Sequence, residues 1–442
     1  LFRSGDGEVM TPVMFGVVGC VALFILLLCS MPVAIVMGLV GVVGYAAVVS
    51  GKAALAMLSA DLYDVFSSYN LTVIPLFIFM GQVAFHTGIS GRLFTAANSW
   101  LSGLKGGLAM ATVGACAAFG AICGSGPATA ATMAAVALPE MRKHKYDDAL
   151  ASGTVASAGG LGMLIPPSVV FIVYGILTEQ SIGKLFIAGI LPGIVVALLF
   201  CLTIHVLCLA NPALAPKAVR TPWRVRFRSL SGVTETMILF VLVMGGMFAG
   251  WFTPTEGAAI GAAGSVAIAV CGGHGSWALF RRAAQETIRT SCMVLVIVAG
   301  ATMFGHFLAV TGLPTQFAAW LAALPLPSWV VMLLILFFYL LAGCFVDSLA
   351  LILLTIPIFY PVVMGLGFDP IWFGVMIVLV TQMGVITPPV GVNVYVVSGI
   401  ARDIPLQTVF RGAIPFLFAL IVACGILMLF PGLATWLPGV VR

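Results

Sequence analysis

Two short stretches carry residues that could handle charge inside an otherwise apolar chain. The first is Ala121-Ile-Cys-Gly-Ser-Gly-Pro-Ala-Thr-Ala-Ala-Thr132, with three hydroxyls (Ser125, Thr129, Thr132) around a Gly-Ser-Gly-Pro break. The second is Gly343-Cys-Phe-Val-Asp-Ser348, in which Asp347 falls 222 residues after Ser125. Hydroxyls, carboxylates and freed backbone carbonyls are the oxygen donors a hard cation needs. Asp347 reads as the one acidic residue placed deep between apolar blocks, where an ionisable group is costly and usually functional. It reads equally as a helix N-cap at a turn, a role that Asp and Ser both fill, and the two readings are compatible.

A Pro-Pro pair follows each stretch: Pro166-Pro167 and Pro388-Pro389. Proline removes a backbone hydrogen bond, and broken backbone survives in a bilayer only where protein or a water-filled cavity covers it. The candidate cation donors are therefore Ser125, Gly126, Gly162, Ile165 and Pro166 in the first half, and Gly343, Asp347, Thr381, Thr387 and Pro388 in the second. Candidate substrate contacts are Ser125, Thr129, Ser168, Asp347, Ser348 and Asn393, with Gln382 near the second break. Thr129 and Thr132 also have the plain reading of hydroxyls bonded to their own helix backbone. No Lys or Arg is placed at mid-membrane. An anionic substrate would have to be met by bound cations and by the partial positive charge of helix N-termini, so cation coupling has a physical reason.

These residues need a membrane scaffold to position them. The chain has 442 residues, 62% of them hydrophobic and 7% charged, against roughly 25% charged in a soluble protein. The expected fold is an all-α polytopic membrane protein. At about 20 apolar residues per span, the candidate spans are 13–30, 31–50, 70–87, 146–178, 185–209, 234–252, 255–272, 288–310, 370–400 and 410–430. The blocks 106–141 and 328–366, broken near their middles, read as re-entrant helical hairpins. Spans 146–178 and 370–400 each read as two half-helices joined at the Pro-Pro break. Segments 53–66, 89–104 and 276–287 have mixed polarity and read as interfacial. The ten cysteines are scattered with no CxxC pair and read as small buried side chains. No cofactor, no catalytic residue, no metal beyond a coupling cation and no nucleic-acid partner is expected; the partner surface is the lipid bilayer.

Lys and Arg concentrate in cytoplasmic loops. With an outside N-terminus, 15 of the 19 basic residues fall on the cytoplasmic side, and Arg3, Lys52, Lys184 and Arg442 fall outside. Both termini are then periplasmic. The basic linker 211–233 separates repeat 1 (10–210) from repeat 2 (234–442). Residues 1–9 read as the tail of an upstream segment, with Met10 a natural start, and no cleavable signal peptide is evident. The halves repeat: Tyr146-Asp147 with Phe368-Asp369, Leu138-Pro139 with Tyr360-Pro361, and the two Pro-Pro pairs all recur at a spacing of 222. On this topology the two hairpins open to opposite sides, so the repeats are inverted, which is the architecture of secondary transporters.

The ordered set Gly124-Ser-Gly-Pro-Ala-Thr-Ala-Ala, Leu138-Pro-Glu-Met, Tyr146-Asp147, Leu164-Ile-Pro-Pro-Ser168, Tyr174-Gly175 and Thr387-Pro-Pro-Val-Gly391 resembles the large membrane subunit of tripartite ATP-independent periplasmic (TRAP) transporters, from about Met10 onward. The resemblance implies a sodium-driven importer of an organic acid, such as a C4-dicarboxylate or a sialic or sugar acid, in the bacterial inner membrane. It implies an elevator-type, ion-transporter-like fold, a small four-span membrane subunit, and a periplasmic substrate-binding protein that delivers the carboxylate. Residues 1–9 would fit the end of a fused small subunit. The family's first hairpin often reads Ser-Gly-Ser-Ser, and Pro127 and Ala128 stand here in place of hydroxyls. The alternative is a stand-alone sodium-coupled anion transporter of the same fold. The five dispersed histidines and the lack of HExxH argue against a membrane enzyme.

Overall fold

The computed structural model describes residues 11–29, 31–216, 221–273, 275–323 and 325–440. The tail 1–9, Lys217, Arg220, His274 and Arg442, which entered the sequence reading, lie outside the described residues. Those described form helices and connecting turns with no strand.

The first half opens with α1 (Pro12–Leu28), α2 (Val33–Val48), α3 (Gly51–Ser67), α4 (Val73–His86) and α5 (Ile89–Leu101). Next come α6 (Gly107–Cys123), α7 (Gly126–Lys143), α8 (Asp148–Gly159), α9 (Leu161–Leu164), α10 (Val169–Leu177) and α11 (Ile182–Ala210). A linker helix, α12 (Trp223–Ser229), leads to α13 (Thr234–Phe240), a π-helical turn Val241–Gly245, α14 (Gly246–Phe248) and α15 (Pro254–Cys271). The second half continues with α16 (Trp277–Thr311), α17 (Leu313–Ala323), α18 (Ser328–Gly343), α19 (Ser348–Gly365) and α20 (Pro370–Gly384). It ends with α21 (Val392–Ile400), α22 (Leu406–Leu429) and α23 (Gly432–Val440).

Among the described residues five helices (α11, α15, α16, α19 and α22) are long and apolar enough to cross a membrane. Three more spans arise if each bent pair counts as one: α3 with α4, bent by 55°; α8–α9 with α10, bent by 40° at Pro166-Pro167; and the α12 and α13 segments, bent by 51°.

The two broken blocks are helix–turn–helix pairs, α6–α7 and α18–α19. Their partner helices have equal lengths: α7 and α19 span 18 residues each, and α10 and α21 span 9 each. The first helix of each pair meets the following broken helix through two glycines. A Cβ on Gly120 would lie 2.7 Å from the Gly162 Cα, and one on Gly384 would lie 2.5 Å from the Gly343 carbonyl carbon. Such contacts admit no side chain, so backbone packs on backbone. This places two expected donors, Gly162 and Gly343, at packing contacts.

The halves interlock. Helix α8 packs on α22, α21 packs on α7 and α8, and the Tyr174 hydroxyl on α10 donates to the Pro370 carbonyl at the start of α20 (2.6 Å). Helices α1–α4 pack against α16, and α15 packs on α4. These flank the interlocked core.

Two expectations need correction. Segment 276–287 is no separate element but the first part of α16, a continuous helix of 35 residues. Trp277 to Thr290 contains neither Gly nor Pro, and Leu279, Ala283 and Thr287 recur every four residues as a buried stripe that continues into the apolar part. Asp347 is also not the one deeply placed acid. Asp61 on α3 is 4% exposed and meets His306 Nδ1 on α16 at 3.0 Å. Asp61 shares a helix face with Ala54 and Val65, but the partner that makes its burial tolerable lies far away in sequence.

The described part of the linker packs on α5. Trp223 and Phe227 of α12 lie edge-on to Trp100 of α5, with ring centroids 6.2 and 5.7 Å apart. Arg92 pairs with Glu235 at 3.1 Å.

Candidate functional site

The two hairpin tips meet at one cavity of about 260 Å³. Its lining includes Ser125 and Gly126 from the first tip and Asp347 and Ser348 from the second, although 222 residues separate the members of each matched pair. Three helices begin there: α7 at Gly126, α10 at Val169 and α19 at Ser348. Helix N-termini present unpaired N–H groups and about half a positive charge each. The lining holds one carboxylate, Asp347, and no Lys, Arg or His. An anion can therefore be held by backbone dipoles, and a cation by Asp347 with neighbouring oxygens.

Local sequence explains each tip. Gly124 ends α6 at φ +65°, a left-handed conformation, and a Cβ there would lie 2.6 Å from the Pro167 carbonyl oxygen. Only glycine meets both conditions. The Gly124 carbonyl then accepts the Val169 amide at 3.2 Å. The second half repeats the tie: the Cys344 carbonyl accepts the Val390 amide at 3.2 Å. Each tip is thus fastened to its own Pro-Pro segment, in which both Pro-Pro bonds are cis.

The tips differ in polar detail. Ser125 occupies the N-cap position of α7, yet its side chain makes no cap hydrogen bond. Asp347 does cap α19, accepting the Leu349 amide at 3.1 Å, so the capping reading holds and one carboxylate edge is engaged by it. Ser348 is 2% exposed, and its Oγ has no protein partner.

The remaining expected residues do not line this cavity. Thr129 donates to the Ser125 carbonyl (2.8 Å), and Thr132 to that of Ala128 (2.8 Å). Thr381 and Thr387 donate to the Val378 and Met383 carbonyls at 3.0 and 2.7 Å. Thr129, Thr132 and Thr381 thus serve their own helices, and Thr387, in the turn beyond α20, bonds back to the end of that helix. Ser168 caps α10 and donates to the Met163 carbonyl. Gly162 packs beneath the first tip, where a Cβ would lie 2.9 Å from the Ser125 carbonyl oxygen. Ile165 and Pro166 form the first break, and Pro388 the second.

Asn393 is fully buried, donating from Nδ2 to the Ala156 carbonyl (3.0 Å), while its Oδ1 has no protein partner. Gln382, also buried, lies against Gly160 with neither amide atom partnered. Both belong to the junction of the halves rather than to the tip cavity.

Sequence reasoning missed two helices that complete the cavity lining. Helix α4 supplies Ile78 and Gln82, and α16 supplies Thr290, Met293 and Val294. A signal for Gln82 existed, since it is the one hydrogen-bonding side chain between Val73 and Phe85. Thr290 carried none, lying where the basic part of α16 turns apolar.

Away from the cavity, Arg142 at the end of α7 bonds Asp148 through Nε (2.9 Å) and Asp403 through Nη1, joining the first hairpin to the turn after α21. The Arg142 hydrogen bond holds the Asp403 carboxyl below its usual range.

Long apolar helices, bent spans and a cavity where three helices begin fit a multi-pass membrane transport protein. The model of the tripartite ATP-independent periplasmic transporter DctM component matches residues 20–433, and the chain belongs to that family. It is 36% identical over 389 residues to the C4-dicarboxylate TRAP transporter large permease protein DctM of Pseudomonas aeruginosa, covering 86% of this chain and 89% of that one. It is 34% identical over 377 residues to the sialic acid large permease protein SiaM of Vibrio cholerae, covering 84% and 86%. The isethionate permease protein DctMQ of Oleidesulfovibrio alaskensis is 35% identical over 400 residues, or 88% of this chain and 60% of that one. These relatives are named as permeases, not enzymes. The fold is shared with the Alcanivorax borkumensis YdaH transporter, at a TM-score of 0.62 and 17% identity over 96% of this chain and 98% of that one.

Proposed function

We propose that this chain is the large permease subunit of a sodium-driven importer of an organic acid. The observation that carries this reading is the tip cavity: three helix N-termini converge on it with one carboxylate and no cationic side chain. An anion entering such a site adds its charge to that of Asp347, and bound sodium offsets it. Ser125, Asp347 and Ser348 supply side-chain oxygens, and the Gly126 region supplies backbone. The relatives named for C4-dicarboxylate, sialic acid and isethionate support an organic acid as cargo.

The matched hairpins and broken helices support two inverted repeats, with 211–233 between them on the cytoplasmic side and both ends of the chain periplasmic. Alternating access then follows an elevator movement, in which the interlocked core slides past the flanking helices α1–α4 and α15–α16. A small four-span subunit and a periplasmic binding protein complete the system in the inner membrane.

The test is reconstitution in liposomes with the neighbouring small subunit and binding protein, followed by carboxylate uptake with and without an inward sodium gradient. Uptake that needs both sodium and the binding protein is the expected result. Sodium-driven uptake without the binding protein would replace the tripartite reading with a stand-alone carrier. Uptake indifferent to sodium would remove the coupling.

A further inference from the structure

Away from the tip cavity, a groove of about 650 Å³ runs along α13, the π-helical turn and α14. Met237, Ile238, Val241, Leu242, Gly245 and Gly246 line it as a stripe on one helix face, with intervals of one and three residues. The four large side chains are exposed, while Leu239 and Val243 on the other face are buried. The two glycines leave the groove without side chains at one end. There the Phe252 ring packs on Gly246, where a Cβ would lie 2.3 Å from it. The other end, at Thr234, adjoins the 51° bend into the α12 segment.

That bend is basic and aromatic. Arg228 lies six residues before Thr234, and Arg226 and Arg224 lie one and two alternate positions further back in α12. Arg224 and Arg228 are exposed, as are Trp223 and Phe227. The Arg226 guanidinium lies 4.8 Å from the centre of the Trp223 ring, and its buried Nε has no protein partner. Basic and aromatic residues at the end of an apolar helix suit a surface of anionic lipid headgroups. We propose that an anionic phospholipid docks here, with an acyl chain in the groove and its phosphate against the α12 arginines. A second groove of about 640 Å³, lined from α18, α20 and α22, has no Lys or Arg within nine residues of its lining, so it lacks the charged end. On the topology proposed above the lipid belongs to the cytoplasmic leaflet; the docking itself does not depend on that reading.

The experiment uses the full chain in mild detergent, titrated with dioleoyl phosphatidylglycerol or dioleoyl phosphatidylcholine, which share their chains and differ in headgroup charge. Bound lipid is counted by native mass spectrometry, and a thermal melt on each variant separates misfolding from altered binding. Phosphatidylglycerol should half-saturate at a concentration about tenfold lower. Arg224→Gln with Arg228→Gln should abolish that preference and leave phosphatidylcholine binding unchanged; Arg226 is kept because it packs on Trp223. Gly245→Leu fills the groove and should weaken both lipids together, since a Cβ there meets only the Val241 Cγ1, at 3.8 Å.

Equal binding of the two lipids by the parent overturns the proposal. So does a headgroup preference that survives in the folded double arginine variant, or lipid binding unchanged in a folded Gly245→Leu variant. Loss of the bound lipid on adding the small membrane subunit would give the groove to a transmembrane helix and overturn it too. Sodium-driven uptake enters none of these readouts, so failure of the transport reading would leave this one standing.

Discussion

The Val169 amide donates to the Gly124 carbonyl at 3.2 Å, fastening the first hairpin tip to the helix that follows the Pro166-Pro167 break. The tie depends on Gly124 lying at positive φ with its α-carbon close to the Pro167 carbonyl. Gly124→Ala should therefore cost about 2 kcal/mol or more, from the left-handed backbone penalty plus the close contact. Uptake should fall with it. Unchanged melting and turnover would show that the tip tolerates displacement.

Backbone contact between Gly343 and Gly384 makes a parallel prediction in the second half. Gly384→Ala places a methyl 2.5 Å from the Gly343 carbonyl carbon and should destabilise by about 1–3 kcal/mol. Gly365→Ala is the control, since a Cβ there meets nothing within 4 Å. Thermal melts of the two variants should diverge; equal melts would remove the packing role.

Asp347 combines a cap with a charge, and one substitution separates them. Asn caps helices about as well as Asp, so Asp347→Asn should melt close to the parent. Its uptake should lose sodium dependence or disappear. Parent-like melting together with parent-like sodium dependence would reduce Asp347 to a cap.

For Ser348 stability and function should move in opposite directions. Its buried Oγ has no protein partner, so Ser348→Ala removes an uncompensated polar group and should leave stability equal or slightly higher. The KM for the carboxylate should rise, because a hydroxyl at the α19 N-terminus is gone. A rise in neither quantity would place Ser348 outside the site.

The Arg142–Asp403 pair gives a pH dependence. The Asp403 carboxyl titrates below its ordinary value of about 3.9 because of the Arg142 hydrogen bond. A depressed carboxylate contributes stability above its unfolded pKa and loses it as pH falls through the folded one. The melting difference between the parent and Asp403→Asn should thus be constant from neutral pH down to about pH 4 and vanish on further acidification. A difference that disappears already at neutral pH would exclude this pair as its source.

Much of the molecule was written in local sequence. Gly-Ser-Gly-Pro and Pro-Pro cannot continue a helix, so hairpin tips and breaks were legible from residue type alone. The 222-residue spacing aligned Ser125 with Asp347, and both reached one cavity. The part of the cavity lining that α4 and α16 supply was not legible. Gln82 and Thr290 lie far apart in sequence and share a surface only because α4 packs against α16. Nor could sequence tell which hydroxyls were free: Thr129 and Thr381 satisfy their own helices, while Ser348, at a first turn with no carbonyl behind it, does not. Asp61 likewise became a buried acid only through His306, 245 residues away. Breaks and periodicity are properties of the local chain. The donor or acceptor that completes a polar group is a property of packing, and here tertiary structure decided it.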